Sequence, residues 1–310
     1  MPSVAEPEFP FPRALDSELP PSPTTPHSSV TQARSTPPAL RVIRPRERWR
    51  TVDLGELWRY RGVVGYLVRR DLKVRYAQTA LGAAWAIFQP VMPMIVFTVI
   101  FGRFGKMPSG GAPYALFALA ALVPWTYFSA AILGATNSLI SHPELITKVY
   151  FPRLAIPLAP VLAVLVDFAI GLAVLGGLMF AYGVAPTAGA VVLLPLLVLL
   201  TMTAATGAGC WLSALNTRYR DVKHVTPTLL QILMYASPIV YPLALLPARY
   251  RSIYALNPMV GVIEGFRAVL LGIPMVHPRA IGISCAISVA LLLSGLFYFR
   301  RTERVFADVI

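Results

Sequence analysis

From Leu81 onward, long uncharged runs alternate with short polar breaks. Leu81–Phe101 has no charge, Tyr114–Ser141 is a longer run of the same kind, and Leu154–Tyr182 carries one ionisable residue, Asp167. After a small-residue break at 183–189 the uncharged pattern continues to Asn216, then returns in Thr226–Leu246 and Ala280–Phe299. A helix rises about 1.5 Å per residue, so about 20 apolar residues cross the hydrocarbon of a bilayer. The pattern therefore predicts an all-α, polytopic membrane protein with six transmembrane helices, the third and fourth joined by a very short loop. The fifth run contains Pro227, Pro238 and Pro242. Between the fifth and sixth, Ser252–Pro274 is also apolar, but Pro258 and the pair Glu264 and Arg267 divide it into pieces too short to cross. Such pieces form re-entrant or interfacial helices.

Upstream of the first run the pattern changes twice. Between Asp53 and Gln78, Leu54, Leu57, Trp58, Val64, Leu67, Val68 and Leu72 recur near helical spacing, and Arg59, Arg69, Arg70, Lys73 and Arg75 occupy much of the rest. This predicts an amphipathic interfacial helix over 51–79, its apolar face inward and its cations near anionic headgroups. A positive anchor that orients the first span is the plainer reading. Residues 1–45 hold eleven of the 29 prolines, with Ser and Thr between them, a composition that cannot bury enough apolar surface to offset its ordering entropy. Residues 1–50 are expected to form a disordered cytoplasmic tail, 80–304 the six-span domain, and 305–310 a C-terminal tail. Met1–Leu40 has no apolar stretch of signal-peptide length, so the first span is expected to serve as the insertion signal.

Composition supports the membrane reading: 13% of residues are charged, against about 25% in soluble domains. The net charge of +13 would suit nucleic acid, but the cations are distributed as membrane topology requires, and no nucleic acid partner is expected. With both termini cytoplasmic, 21 of the 27 Lys and Arg fall on the inner side of the cytoplasmic (inner) membrane, in keeping with the positive-inside rule. Cys210 and Cys285 both lie inside apolar runs and are expected to be buried free thiols.

Candidate chemistry is sparse. The four His residues, at 27, 142, 224 and 277, have no ligand spacing, and no metal or cofactor site is expected. Gly102–Met107 (GRFGKM) lacks the interval and the final Ser or Thr of a phosphate loop, so ATP binding by this chain is not expected. Asp167 is costly within a span and is a functional candidate. A proton relay needs a second titratable group at depth, and none interrupts the six runs, which favours a structural or pathway-lining hydrogen bond. Trp85, Phe88, Trp125, Tyr127, Tyr235 and Tyr241 lie in or at the ends of spans. They suit interface belts, the reading that pattern alone favours, or rings that stack on sugars in a passage. Ser138–Arg153 mixes Leu145, Ile146, Val149, Tyr150 and Phe151 with Glu144, Lys148 and Arg153 between Pro143 and Pro152. A short amphipathic helix there would dock into a partner's groove or lie on lipid.

Several linked segments are similar to a known family. Arg70–Tyr76 (RDLKVRY), Gln78–Gly82 (QTALG) and Trp85–Pro90 (WAIFQP) resemble the approach to the first span in ABC-2 type permeases that export polysaccharides, the membrane subunits of O-antigen, capsule and teichoic acid exporters. Leu145–Arg153, Asn216–Val222, Tyr235–Pro242, Leu256–Met259 and Phe266–Arg267 match in the same order, and the similarity covers 53–304. The resemblance implies a homodimer around a translocation channel, bound to two copies of a separate cytoplasmic ABC ATPase that uses ATP and Mg. The chain itself would be a permease, not an enzyme, in contact with membrane lipid and with a lipid-linked polysaccharide as substrate. Glu144, Leu145, Ile146, Lys148, Tyr150 and Phe151 would couple to the ATPase, and Arg69, Arg70, Asp71, Lys73 and Arg75 would belong to a gate helix. Asn257, Glu264 and Arg267 would form an outer gate, with Trp85, Phe88, Trp125, Tyr127, Asp167, Tyr235 and Tyr241 as channel candidates. A drug or lipid exporter of the ABC-2 type shares the gross features. A proton-driven carrier predicts more charge within the spans, and a membrane-embedded glycosyl- or acyltransferase wants paired carboxylates or a His and Asp pair, which are not evident.

Overall fold

Five of the apolar runs become helices long enough to cross a bilayer: 84–104, 114–138, 155–181, 190–218 and 279–302. The computed structural model describes residues 54–77, 84–141, 151–303 and 306, all within one of the two units into which the chain divides, Arg48–Ile310. The expected tail at 1–50 and the residues from Glu144 to Tyr150 lie outside the described residues, as do all of 305–310 except Phe306. Among the described residues there is no strand. In chain order the helices are α1 (Leu54–Arg59), α2 (Arg61–Tyr76), α3 (Ala84–Phe97, continued as a π-helix over Thr98–Phe104) and α4 (Tyr114–Ser138). They continue with α5 (Ala155–Ala163), α6 (Leu165–Ala181), α7 (Ala190–Arg218), α8 (Val222–Tyr235), α9 (Ala248–Tyr254), α10 (Pro258–Leu271) and α11 (Arg279–Thr302).

α4 is the axis of the bundle: 78% of its spanning window is buried, against 11% for the α3 span. Its Ala-rich sequence presents small side chains on every face, which lets neighbours approach closely where no hydrophobic effect drives helix pairing. The same device joins α7 to α11. A Cβ on Gly295 would stand 2.3 Å from the Gly207 carbonyl oxygen, and one on Gly207 2.5 Å from the Leu292 nitrogen. α11 buries Ala280, Ser284, Ser288, Gly295 and Phe299 along one stripe. Cys285 lies off that stripe and is exposed, contrary to expectation, whereas Cys210 is buried. The short loop after α6 is set by Gly183 at φ 68°. There the Gly183 and Val184 N–H groups close on the Phe180 and Met179 carbonyls, a left-handed helix stop that favours glycine.

The expected fifth span, Thr226–Leu246, is not a continuous helix. α8 ends after 14 residues, about 21 Å of helix, and the chain proceeds through turns and one 3-10 turn at Leu243–Leu245. Pro238 and Pro242 account for this, since each removes an N–H donor and biases the residue before it toward extended backbone. The chain nevertheless changes ends of the bundle there. Ala214, near the end of α7, packs with Phe299 and Val64, whereas the Pro238 and Ile239 carbonyls meet Arg267 and the opposite end of α4. α9 and α10 then meet at 109°. The charged pair does not interrupt α10, which runs unbroken through Glu264 and Arg267.

Candidate functional site

Among the described residues, charged side chains engage distant elements of this bundle at two main places. At the first, α2 docks along α5. Val64 and Leu67 are buried with Leu139, Phe151, Leu154, Ala155, Ile156 and Ala159. About two turns further along, Arg75 forms an ion pair with Asp167, and the Tyr76 hydroxyl donates to the same carboxylate. Burial, then the hydrogen bond to Asp167, pushes the Tyr76 phenol up to about 12, so it remains a donor at neutral pH. α2 therefore runs in the direction of α5, from Phe151 at one end to Asp167 in the first turn of α6 at the other. Of the remaining basic residues, Arg69 and Lys73 are exposed, and Arg70 pairs with its neighbour Asp71 at 2.8 Å. Sequence reasoning found Asp167 but missed Arg75 and Tyr76 as its partners, because it sought them within the spans.

At the opposite end, Arg267 is 1% exposed. Its guanidinium donates to the carbonyls of Phe117 (3.2 Å), Pro238 (2.6 Å) and Ile239 (2.8 Å). It also lies 3.4 Å from the centroid of the Phe117 ring. Glu264, one turn earlier, is 3.9 Å away. Tyr114 donates to the Val240 carbonyl at 2.6 Å. Asn257 caps α10 by accepting the Met259 N–H at 3.0 Å and donates to Ser237 Oγ at 2.8 Å. The irregular segment after α8 is thus held from α4 and α10. Non-helical backbone at membrane depth is tolerated only when its polar groups are satisfied by protein or water in this way.

The candidate aromatics divide. Trp85 and Phe88 on α3 and Tyr235 on α8 are exposed. Trp125 and Tyr127 are buried on α4, where Tyr127 donates to the Val161 carbonyl at 3.2 Å. Tyr241 is half-buried and bonds the Tyr254 hydroxyl. Of the candidate coupling residues only Phe151 is described, and it is buried beneath α2. Asn257, Glu264 and Arg267 come together around the break at 236–242, while Arg69 and Lys73 do not join Arg75 at Asp167.

Comparison with known proteins gives this arrangement a family. A family model described as "ABC-2 type transporter" matches residues 63–271, a stretch that includes Arg75, Asp167 and Arg267. The chain is 32% identical over 257 residues to the "O-antigen export system permease protein RfbA" of Myxococcus xanthus, covering 82% of this chain and 98% of that protein. It is 25% identical over 244 residues to a protein of the same description from Klebsiella pneumoniae, with 79% and 93% covered. To the "Polysialic acid transport protein KpsM" of Escherichia coli it is 24% identical over 241 residues, with 76% and 92% covered. The matched region contains both polar centres and the helices that carry them, and the chain belongs to the ABC-2 type transporter family.

Proposed function

We propose that this chain is the permease subunit of an ATP-driven exporter that carries a lipid-linked polysaccharide across the cytoplasmic membrane. The observation that carries the reading is the near full-length match to relatives named for O-antigen export and polysialic acid transport. Two copies pair around the pathway, with both termini inside, and a separate ATPase in two copies supplies the energy. The ATPase docks on 138–153, and its closure on ATP shifts the attached helices. Such a shift requires contacts that differ between the two states. Phe151 supports this reading, because it lies near the end of the proposed docking segment and packs directly under α2. The exposed rings on α3 and α8 suit sugar faces passing between the two copies.

The test is co-expression with the ATPase, with copurification and ATP-driven glycan export as readouts. Tyr150→Ala with Glu144→Ala is expected to weaken assembly or abolish export, and normal values of both would sink the docking assignment. A deletion strain should accumulate the glycan on the cytoplasmic side. Accumulation of a drug or simple lipid instead would overturn the substrate class.

A further inference from the structure

We infer that Asp167 is a positioning residue that fastens the far end of α2 to the helix α5–α6, so that both move as one arm. The inference rests on the proposed coupling through 138–153. Arg75 occupies one oxygen of the Asp167 carboxylate and Tyr76 the other, through Nη1 on Oδ2 and the hydroxyl on Oδ1. Both donors come from the last turn of α2, so a single side chain grips that turn from two adjacent residues. The Asp167 side chain is 12% exposed and Arg75 36%. The acid is therefore the more enclosed partner. An ionised carboxylate in an apolar helix strongly favours a partner.

The second attachment is apolar. Val64 and Leu67 are buried against Phe151 and Ile156 at the other end of α2. From Leu67 to Arg75 the helix extends about 12 Å, and a rigid rod held at two such points cannot pivot on its partner. The break between α5 and α6 at Val164 lies between the two attachments, and α2 splints it. Movement imposed near Phe151 therefore reaches Asp167 through α2 as well as through α5.

The experiment is a double-mutant cycle in the full chain assembled with its ATPase. Asp167→Asn and Arg75→Gln are each expected to lower export per assembled complex about tenfold, and the double variant should be no worse than either, since the two residues act through one contact. ATP hydrolysis by the assembled complex should persist, and Arg75→Lys should retain most of the export. Losses that multiply in the double variant overturn the inference, as does a parallel fall of assembly and ATP hydrolysis. If Asp167→Asn alone fails to accumulate because Arg75 is left unpaired, the double variant must accumulate; its failure to do so also overturns it. Export independent of the ATPase in the unaltered complex would sink the coupling reading separately.

Discussion

Arg267 satisfies the Pro238 and Ile239 carbonyls, which no helix claims, and donates as well to the Phe117 carbonyl in the first turn of α4, with a planar fork stacked on the Phe117 ring. Lysine carries its donors on one nitrogen and cannot reproduce that geometry. Arg267→Ala is expected to lower the stability of the detergent-solubilised protein by about 3 kcal/mol or more, the order seen when one member of a buried charged network is removed. Arg267→Lys should recover little of it, as read by thermal unfolding; full recovery would mean that charge alone matters there. The sequence marked Arg267 and Glu264 as unusual in an apolar run. It could not identify the acceptors, because they are backbone carbonyls, which every residue carries, and Phe117 lies 150 residues away. Asp167 has the same history: its cost was legible from its apolar neighbours, but its partner was not.

Among the elements, the contrast between α7–α11 packing and the open side of α6 makes a paired prediction. At Gly295 and Gly207 the nearest atoms met by an added Cβ are backbone, with no flexible end to yield. Gly295→Ala must push the helices apart, at about 1–3 kcal/mol as for other overpacked positions. At Gly177 a Cβ meets nothing within 4 Å, and Gly177→Ala should leave thermal stability unchanged or raise it by up to about 1 kcal/mol through helix propensity. Equal effects at the two sites would refute the packing account. The periodicity and length of the apolar runs foretold five long helices and the α9–α10 break at Pro258. They overestimated the fifth helix because hydropathy counts apolar residues without registering that two prolines withdraw backbone donors.

The described chain begins and ends at one side of the bundle: Val64, Leu67 and Phe306 share a cluster, and the Phe299 and Phe306 rings lie 5.3 Å apart. Five helices are long enough to cross, and a short sixth crossing is expected through α8 and its irregular extension, which would return the chain to its starting side. Single reporter cysteines at Arg220 and Arg301, in a background lacking Cys210 and Cys285, should label from the same side of sealed vesicles. Labelling from opposite sides would remove one crossing. By the positive-inside rule the cation distribution leads us to expect this side in the cytoplasm. The sequence by itself determined the solvent and the helical class, because transfer into a bilayer depends on contiguous composition and on where charges interrupt it. Only the tertiary structure decided which charges are paired and which apolar residues are enclosed. Arg75 and Asp167 are 92 residues apart, and contacts at that range depend on which helices meet rather than on the residues beside them in the chain.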